Sequence, residues 1–146
     1  MHFYGLKDME LELSFNEGLK KVGNYAFYNC KKLTGDVTNL MRSDITYGTN
    51  VFDGCESLTG NIGSAIEYYT KGDVTEIPND LFAGFKSLTG TIKISSKITR
   101  IGDRAFLNCS GVTGIDFSEA TNLKEIGEEA FSGTTSLGKD TFNRSL

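Results

Sequence analysis

The sequence contains no tryptophan, one proline and one histidine in 146 residues, and the shortage of histidine closes a class of function. Ser–His–Asp or Cys–His catalysis needs an imidazole within hydrogen-bond reach of the nucleophile and oriented by a third group. The lone histidine, His2, has no matching partner and reads as a solvated terminal residue. Three cysteines, Cys30, Cys55 and Cys109, make an odd count with no C-x-x-C pair, which suits neither a disulfide framework nor a zinc site. No apolar run approaches the roughly 18 residues that cross a bilayer, so direct membrane insertion is not expected. Residues 1–15 lack the basic n-region and apolar core of a signal peptide. With 15 basic against 19 acidic residues, no basic stripe offers itself to a phosphate backbone, which speaks against nucleic acid as a partner. Gly60-Asn61-Ile62-Gly63 and the other glycine pairs do not fit a phosphate loop. No cofactor or metal is therefore expected.

What is present is repetition. Phe3, Phe27, Phe52, Phe82, Phe106 and Phe131 are 24, 25, 30, 24 and 25 residues apart. Three positions after each phenylalanine stand Leu6, Cys30, Cys55, Phe85, Cys109 and Thr134; six positions after stand Met9, Leu33, Leu58, Leu88, Val112 and Leu137. Four units continue with Thr-Gly, at Thr34, Thr59, Thr89 and Thr113. Four positions before the phenylalanine, Gly23, Gly48, Gly102 and Gly127 alternate with one exception, Pro78. Agreement in several columns at once marks a repeat array.

A unit of about 24 residues cannot bury a hydrophobic face alone, whereas stacked copies bury one continuously. The expected fold is a single α/β solenoid over residues 1–146, with about six coils of 24–25 residues centred on the six phenylalanines. The strand after each Thr-Gly should pair with its counterpart in the next coil. That gives a parallel sheet on the concave face, with short helical or 3₁₀ turns around Ala-Phe on the other side. Met9 to Phe15 alternates as a strand, with Met9, Leu11, Leu13 and Phe15 on one face. The repeated glycine supplies either positive φ or close backbone approach. Five extra residues near Glu67–Asp73 form an inserted loop.

The cysteines share one column, so each reads as a small buried hydrophobe in a ladder; Phe85 and Thr134 in the same column support that. The paired carboxylates Glu10 and Glu12, and Glu128 and Glu129, read as solvated charge, because a solenoid offers a broad face and not the cleft a glycosidase needs. The sequon Asn108-Cys109-Ser110 overlaps the repeat core; a second lies at Asn143-Arg144-Ser145.

The pattern V-x-x-I-G-x-x-A-F-x-x-C-x-x-L-T-x-x-I-x-I resembles the BspA-like leucine-rich repeat, with its closest copies here at Ile98–Phe117 and Leu123–Leu137. The resemblance implies a leucine-rich-repeat solenoid from a bacterial surface or secreted protein, hence an extracellular or cell-surface location. It also implies a non-enzymatic adhesion module that binds an extracellular protein or carbohydrate. The alternative is a spacer segment with no ligand of its own. End-to-end or edge association of solenoids is a further expectation. The candidate ligand surface comprises Tyr68 and Tyr69 in the insertion, with Thr91, Lys93, Asp116 and Ser118 among the outward strand positions. Tyr68 and Tyr69 would either anchor an interface or pack back onto the next coil.

Overall fold

A computed structural model describes residues 10–134 of the chain. The coil centred on Phe3, with His2, Met9, Leu137 and the Asn143 sequon, lies outside the described residues. The fold is a parallel-strand solenoid. Its strands are β1 (Leu11–Glu12), β2 (Lys21–Val22), β3 (Leu33–Asp36), β4 (Thr46–Tyr47), β5 (Leu58–Thr59), β6 (Glu76–Ile77), β7 (Gly90–Lys93), β8 (Arg100–Ile101), β9 (Val112–Asp116) and β10 (Glu125–Ile126). One α-helix, α1 (Ile62–Tyr69), and a 3₁₀ turn at Val37–Asn39 complete the regular structure.

The coils of Phe27, Phe52, Phe82 and Phe106 each contribute one strand to each of two parallel ladders. The strands at the four Thr-Gly units, β3, β5, β7 and β9, together with β1, form β1–β3–β5 and β7–β9. The residues just before the glycine column form β2–β4 and β6–β8–β10, a second ladder inside the stretch that was expected to be only a crossover. Register follows the repeat there: Val22 opposes Tyr47, and Ile77 and Ile126 both oppose Ile101. Among the described residues of the strand expected over Met9–Phe15, only Leu11–Glu12 is strand. Leu13 and Phe15 lean on the core, but Leu11 is 42% exposed.

The repeat columns become the core. Leu33, Leu58, Leu88 and Val112 are fully buried, as are the five described phenylalanines or nearly so. The Phe rings stack face to face, Phe27 on Phe52 at 5.6 Å, Phe82 on Phe106 at 5.3 Å and Phe106 on Phe131 at 5.3 Å. Stacked identical rings bury large apolar area and add a favourable ring–ring contact.

The Ala-Phe crossovers are successive turns, not helix. In each, the residue two before the phenylalanine is left-handed: Tyr25, Asn50, Asp80, Arg104 and Glu129 all have φ between +51° and +63°. This geometry points alternate N–H groups at the next coil. Tyr25, Phe27 and Asn29 donate to the carbonyls of Thr49, Val51 and Asp53 at 2.8–2.9 Å, and the pattern recurs from Asp80, Phe82 and Gly84 and again from Arg104, Phe106 and Asn108. The backbone polar groups of the crossover are thus satisfied between coils, as burial requires.

The glycine column is explained by close approach. A Cβ on Gly102 would lie 2.5 Å from both the amide nitrogen and the side-chain oxygen of Asn79; one on Gly127 would lie 2.4 Å from the Asp103 carboxylate. The side chains that crowd them form their own ladder. Asn24, Asn79 and Asp103 accept from the N–H of Thr49, Asp103 and Glu128 in the next coil, at 2.8–2.9 Å.

The regularity breaks once, between the coils of Phe52 and Phe82. β4 does not pair with β6, and β5 reaches β7 only through a bridge between Asn61 and Thr89. Among the described residues, no crossover N–H of Asn50–Gly54 bonds the next coil. Pro78 sits at this break. Gly48, Gly102 and Gly127 each donate an N–H to the preceding coil, at Val22, Ile77 and Ile101. Proline in that column has no such donor. Helix α1 fills the gap, packing between the 3₁₀ turn and β7.

Candidate functional site

The insertion is not the loop expected over Glu67–Asp73. Its first part, Glu67–Tyr69, is the end of α1, and only the residues from Thr70 onward leave the helix. Ile62, Ala65, Ile66 and Tyr69 recur at i, i+3, i+4 and i+7 and are all buried, the spacing that puts one apolar stripe on a helix. Asn61 caps it, its side-chain oxygen accepting from Ser64 N–H at 3.1 Å. Thr70 ends it by bonding back to the Ile66 carbonyl through both N–H and hydroxyl.

This helix divides the proposed ligand surface. Tyr69 belongs to the core at 7% exposure, and burial raises its phenol pKa. It is therefore removed from the candidate surface: position i+7 of the buried stripe faces inward. Tyr68, half-buried, turns the other way, with the Lys71 ammonium 5.0 Å from its ring centre. It borders a cleft of about 570 Å³ with Phe15, Lys20, Asn39, Arg42 and Asp44. On the opposite side, Ile66, Glu67 and Thr70 of α1 face Lys93, Ser95 and Glu119 across a smaller cleft of about 270 Å³. The structure does not bring Tyr68 and Lys93 to the same cleft.

In the smaller cleft Lys93, from β7, pairs with Glu119 at 2.8 Å. The Glu119 carboxylate holds the Lys93 ammonium above its ordinary pKa, with Asp116 and Glu67 adding to the effect. The Lys97 ammonium donates to the Thr70 carbonyl and so ties the end of α1 to the next coil. The cleft has an apolar floor at Ile66 and a rim of mixed charge. Thr91 is exposed on β7, and Asp116 opposes Lys93 in the β7–β9 register. Asp116 also accepts from the Ser118 N–H at 2.8 Å, a turn-closing bond. Asp36 does the same for Thr38 and Asn61 for Ser64, so this polar column, read from the sequence as outward surface, also stabilises the turns that follow each strand.

The larger cleft is built around Arg42. Its guanidinium donates to the carbonyls of Phe15, Asn16, Glu17 and Leu19, and pairs with Asp44 at 2.9 Å. Arg42 and then Lys20 hold the Asp44 carboxyl well below the usual range. The Tyr47 hydroxyl donates to the Leu40 carbonyl and accepts from Arg42 N–H, and burial raises its pKa. These contacts lock the loop of residues 15–19 to the following coil; Arg42 is committed to that structural work.

The cysteines are free and buried. Cys55 donates to the Phe27 carbonyl at 3.0 Å and Cys109 to that of Phe82 at 3.1 Å. Burial pushes both thiols up to about 12, which removes the thiolate that nucleophilic chemistry requires. Among the described residues, no three His, Cys, Asp or Glu side chains converge as metal ligands, and no helix is long and apolar enough to cross a membrane.

Sequence reasoning missed two features. One is α1, whose apolar stripe and Asn61 cap are visible in the residues but were masked by the repeat register. The other is the pair Tyr25 and Tyr28, exposed at 46% and 40%, in positions occupied by other residue types in the sibling coils.

Two ladders of short parallel strands, a buried leucine column and crossovers built of turns define a leucine-rich-repeat solenoid. The chain matches the BspA type leucine rich repeat region in six copies, over residues 1–64 and 61–146, and belongs to that family. The two matched segments meet at the first turn of α1, where the ladders break. Among solved structures, it is similar to the leucine-rich-repeat protein of T. pallidum, with a TM-score of 0.45, 20% identity, and coverage of 90% of this chain and 78% of that one. It is also similar to a leucine rich cell surface protein of Faecalibacterium prausnitzii, with a TM-score of 0.36, 17% identity, and coverage of 88% and 46% respectively. No curated protein matches the chain.

Proposed function

We propose that the chain is a non-enzymatic recognition module of a secreted or surface-exposed protein. In this reading it engages an extracellular protein or glycan at the cleft between α1 and β7. The observation that carries this is local. The repeat is uniform enough to be scaffold, and α1 departs from it to create a concave site with an apolar floor and a mixed-charge rim. Family membership supports a repeat interaction module. In repeat proteins, insertions lie on one face and often form the binding surface. Thr91, Asp116 and Ser118 extend the site along the strand face, and Tyr68 marks a second contact beyond the helix.

The test is retention of the purified chain on immobilised extracellular-matrix proteins and glycans, compared among wild type, Lys93→Ala and Tyr68→Ala. The reading expects at least one immobilised probe to hold the wild type and to lose Lys93→Ala. A chain held by none would instead be a spacer.

A further inference from the structure

We propose that Tyr25 and Tyr28 form a second, independent site, a stacking platform for a neutral sugar on the crossover side of the coil. Among the described residues the exposed large hydrophobics are Leu11, Tyr25 and Tyr28. The two tyrosine rings meet edge to face at 5.4 Å. That contact restricts both rings, and a restricted ring loses less freedom on binding.

The backbone conformation at Tyr25 does not call for an aromatic side chain. Its φ of +57° is the left-handed conformation the scaffold imposes at this column in all five described coils. Asparagine and aspartate tolerate that region; a bulky aromatic is an outlier there. Asn50, Asp80, Arg104 and Glu129 occupy the same column in the other described coils, all polar or charged. Tyr25 alone places an aromatic ring there, and leaves it in solvent.

The surroundings select the occupant. In the next coil the equivalent positions are Asn50 and Asp53, joined by a hydrogen bond from the Asn50 amide at 3.3 Å. Tyr25 N–H donates to Thr49 and Asn29 N–H to Asp53, so the two pairs lie on adjacent, bonded coils. The tyrosine pair thus lies one coil away from an amide and a carboxylate at the equivalent columns. A pyranose presents the same combination: C–H faces that pack on aromatic rings and hydroxyls that bond to amide and carboxylate. Tyrosine supplies the amphipathic contact such a ligand needs. The proposal goes beyond the α1–β7 cleft and stands or falls separately from it.

The test uses the full chain on an array of neutral gluco-, galacto-, manno- and xylo-oligosaccharides, followed by titration of any sugar bound. Tyr25→Asn installs the residue of the neighbouring coil. It is expected to weaken sugar binding at least tenfold while keeping or raising the melting temperature, a combination no folding defect produces. Tyr28→Ala should also weaken binding tenfold, and Tyr28→Phe by no more than about threefold. Lys93→Ala should leave it unchanged. Failure of every neutral sugar to bind, binding that survives Tyr25→Asn, or capture of an extracellular-matrix protein through these tyrosines would overturn the proposal.

Discussion

The Phe85 ring stands in the cysteine column yet lies against Phe52 of the preceding coil, 5.2 Å between centres and nearly parallel. It also touches Phe82, at 6.3 Å. Elsewhere phenylalanine stacks directly on phenylalanine. At the break, Phe85 carries the aromatic column across a gap the backbone does not bridge. Replacing it with the column's usual residue, Phe85→Cys, should cost about 3 kcal/mol by the large-to-small rule. Hydrogen exchange should accelerate first around Asp80–Gly84, whose N–H groups bond the next coil. Thermal melts and residue-resolved exchange check both; a uniform rise in exchange along the chain would contradict this view of the break.

Glycine substitutions separate close packing from conformational freedom. Gly102→Ala drives a Cβ to 2.5 Å from Asn79 and should destabilise by about 2 kcal/mol, within the usual cost of overpacking. Gly114→Ala meets nothing nearer than 3.7 Å and should be close to neutral or mildly stabilising. Comparing the two midpoints in urea is the measurement.

Much of the architecture was legible because each column has one job. The Phe, Leu and Cys columns are buried as their spacing demanded. What the repeat register hid was where the chain leaves it. Ile62, Ala65, Ile66 and Tyr69 follow a period of 3.6, but a reader counting in steps of 24 or 25 takes them for surplus. The second ladder was missed because β2, β4, β6, β8 and β10 are two residues long, too short for alternation to show. The candidate surface was only partly readable. Lys93 and Thr91 stand on an exposed face as alternation implied, whereas the direction of Tyr69 depends on a helix that strand counting does not contain.

Thiol chemistry should report on folding. Cys55 and Cys109 have an ordinary value of 9.0 and are pushed up to about 12 by burial. A group whose folded pKa is raised contributes fully below its unfolded pKa and loses that contribution as pH rises through the folded one. Stability should therefore be flat in this respect below pH 9 and fall between pH 9 and about 12. Substituting both with alanine should flatten that decline. At neutral pH, alkylation of Cys55 and Cys109 by iodoacetamide should be slow in the folded chain and rapid in urea.

Arg42 cannot be replaced by lysine. A planar guanidinium reaches four carbonyls and Asp44 together; an ammonium on a flexible stem cannot. Arg42→Lys should destabilise by about 2 kcal/mol, the scale for hydrogen bonds to a charged group. Faster hydrogen exchange should be confined to the loop of residues 15–19 and its neighbours.

Recognition at the α1–β7 cleft is tested most directly by affinity for the matrix protein or glycan that retains the wild type. That affinity is measured by surface plasmon resonance for Lys93→Ala, Glu119→Ala and a control on the other ladder, Glu76→Ala. The cleft account expects at least tenfold loss for the first two, none for Glu76→Ala, and unchanged circular dichroism throughout. Equal affinity for all four proteins would contradict it.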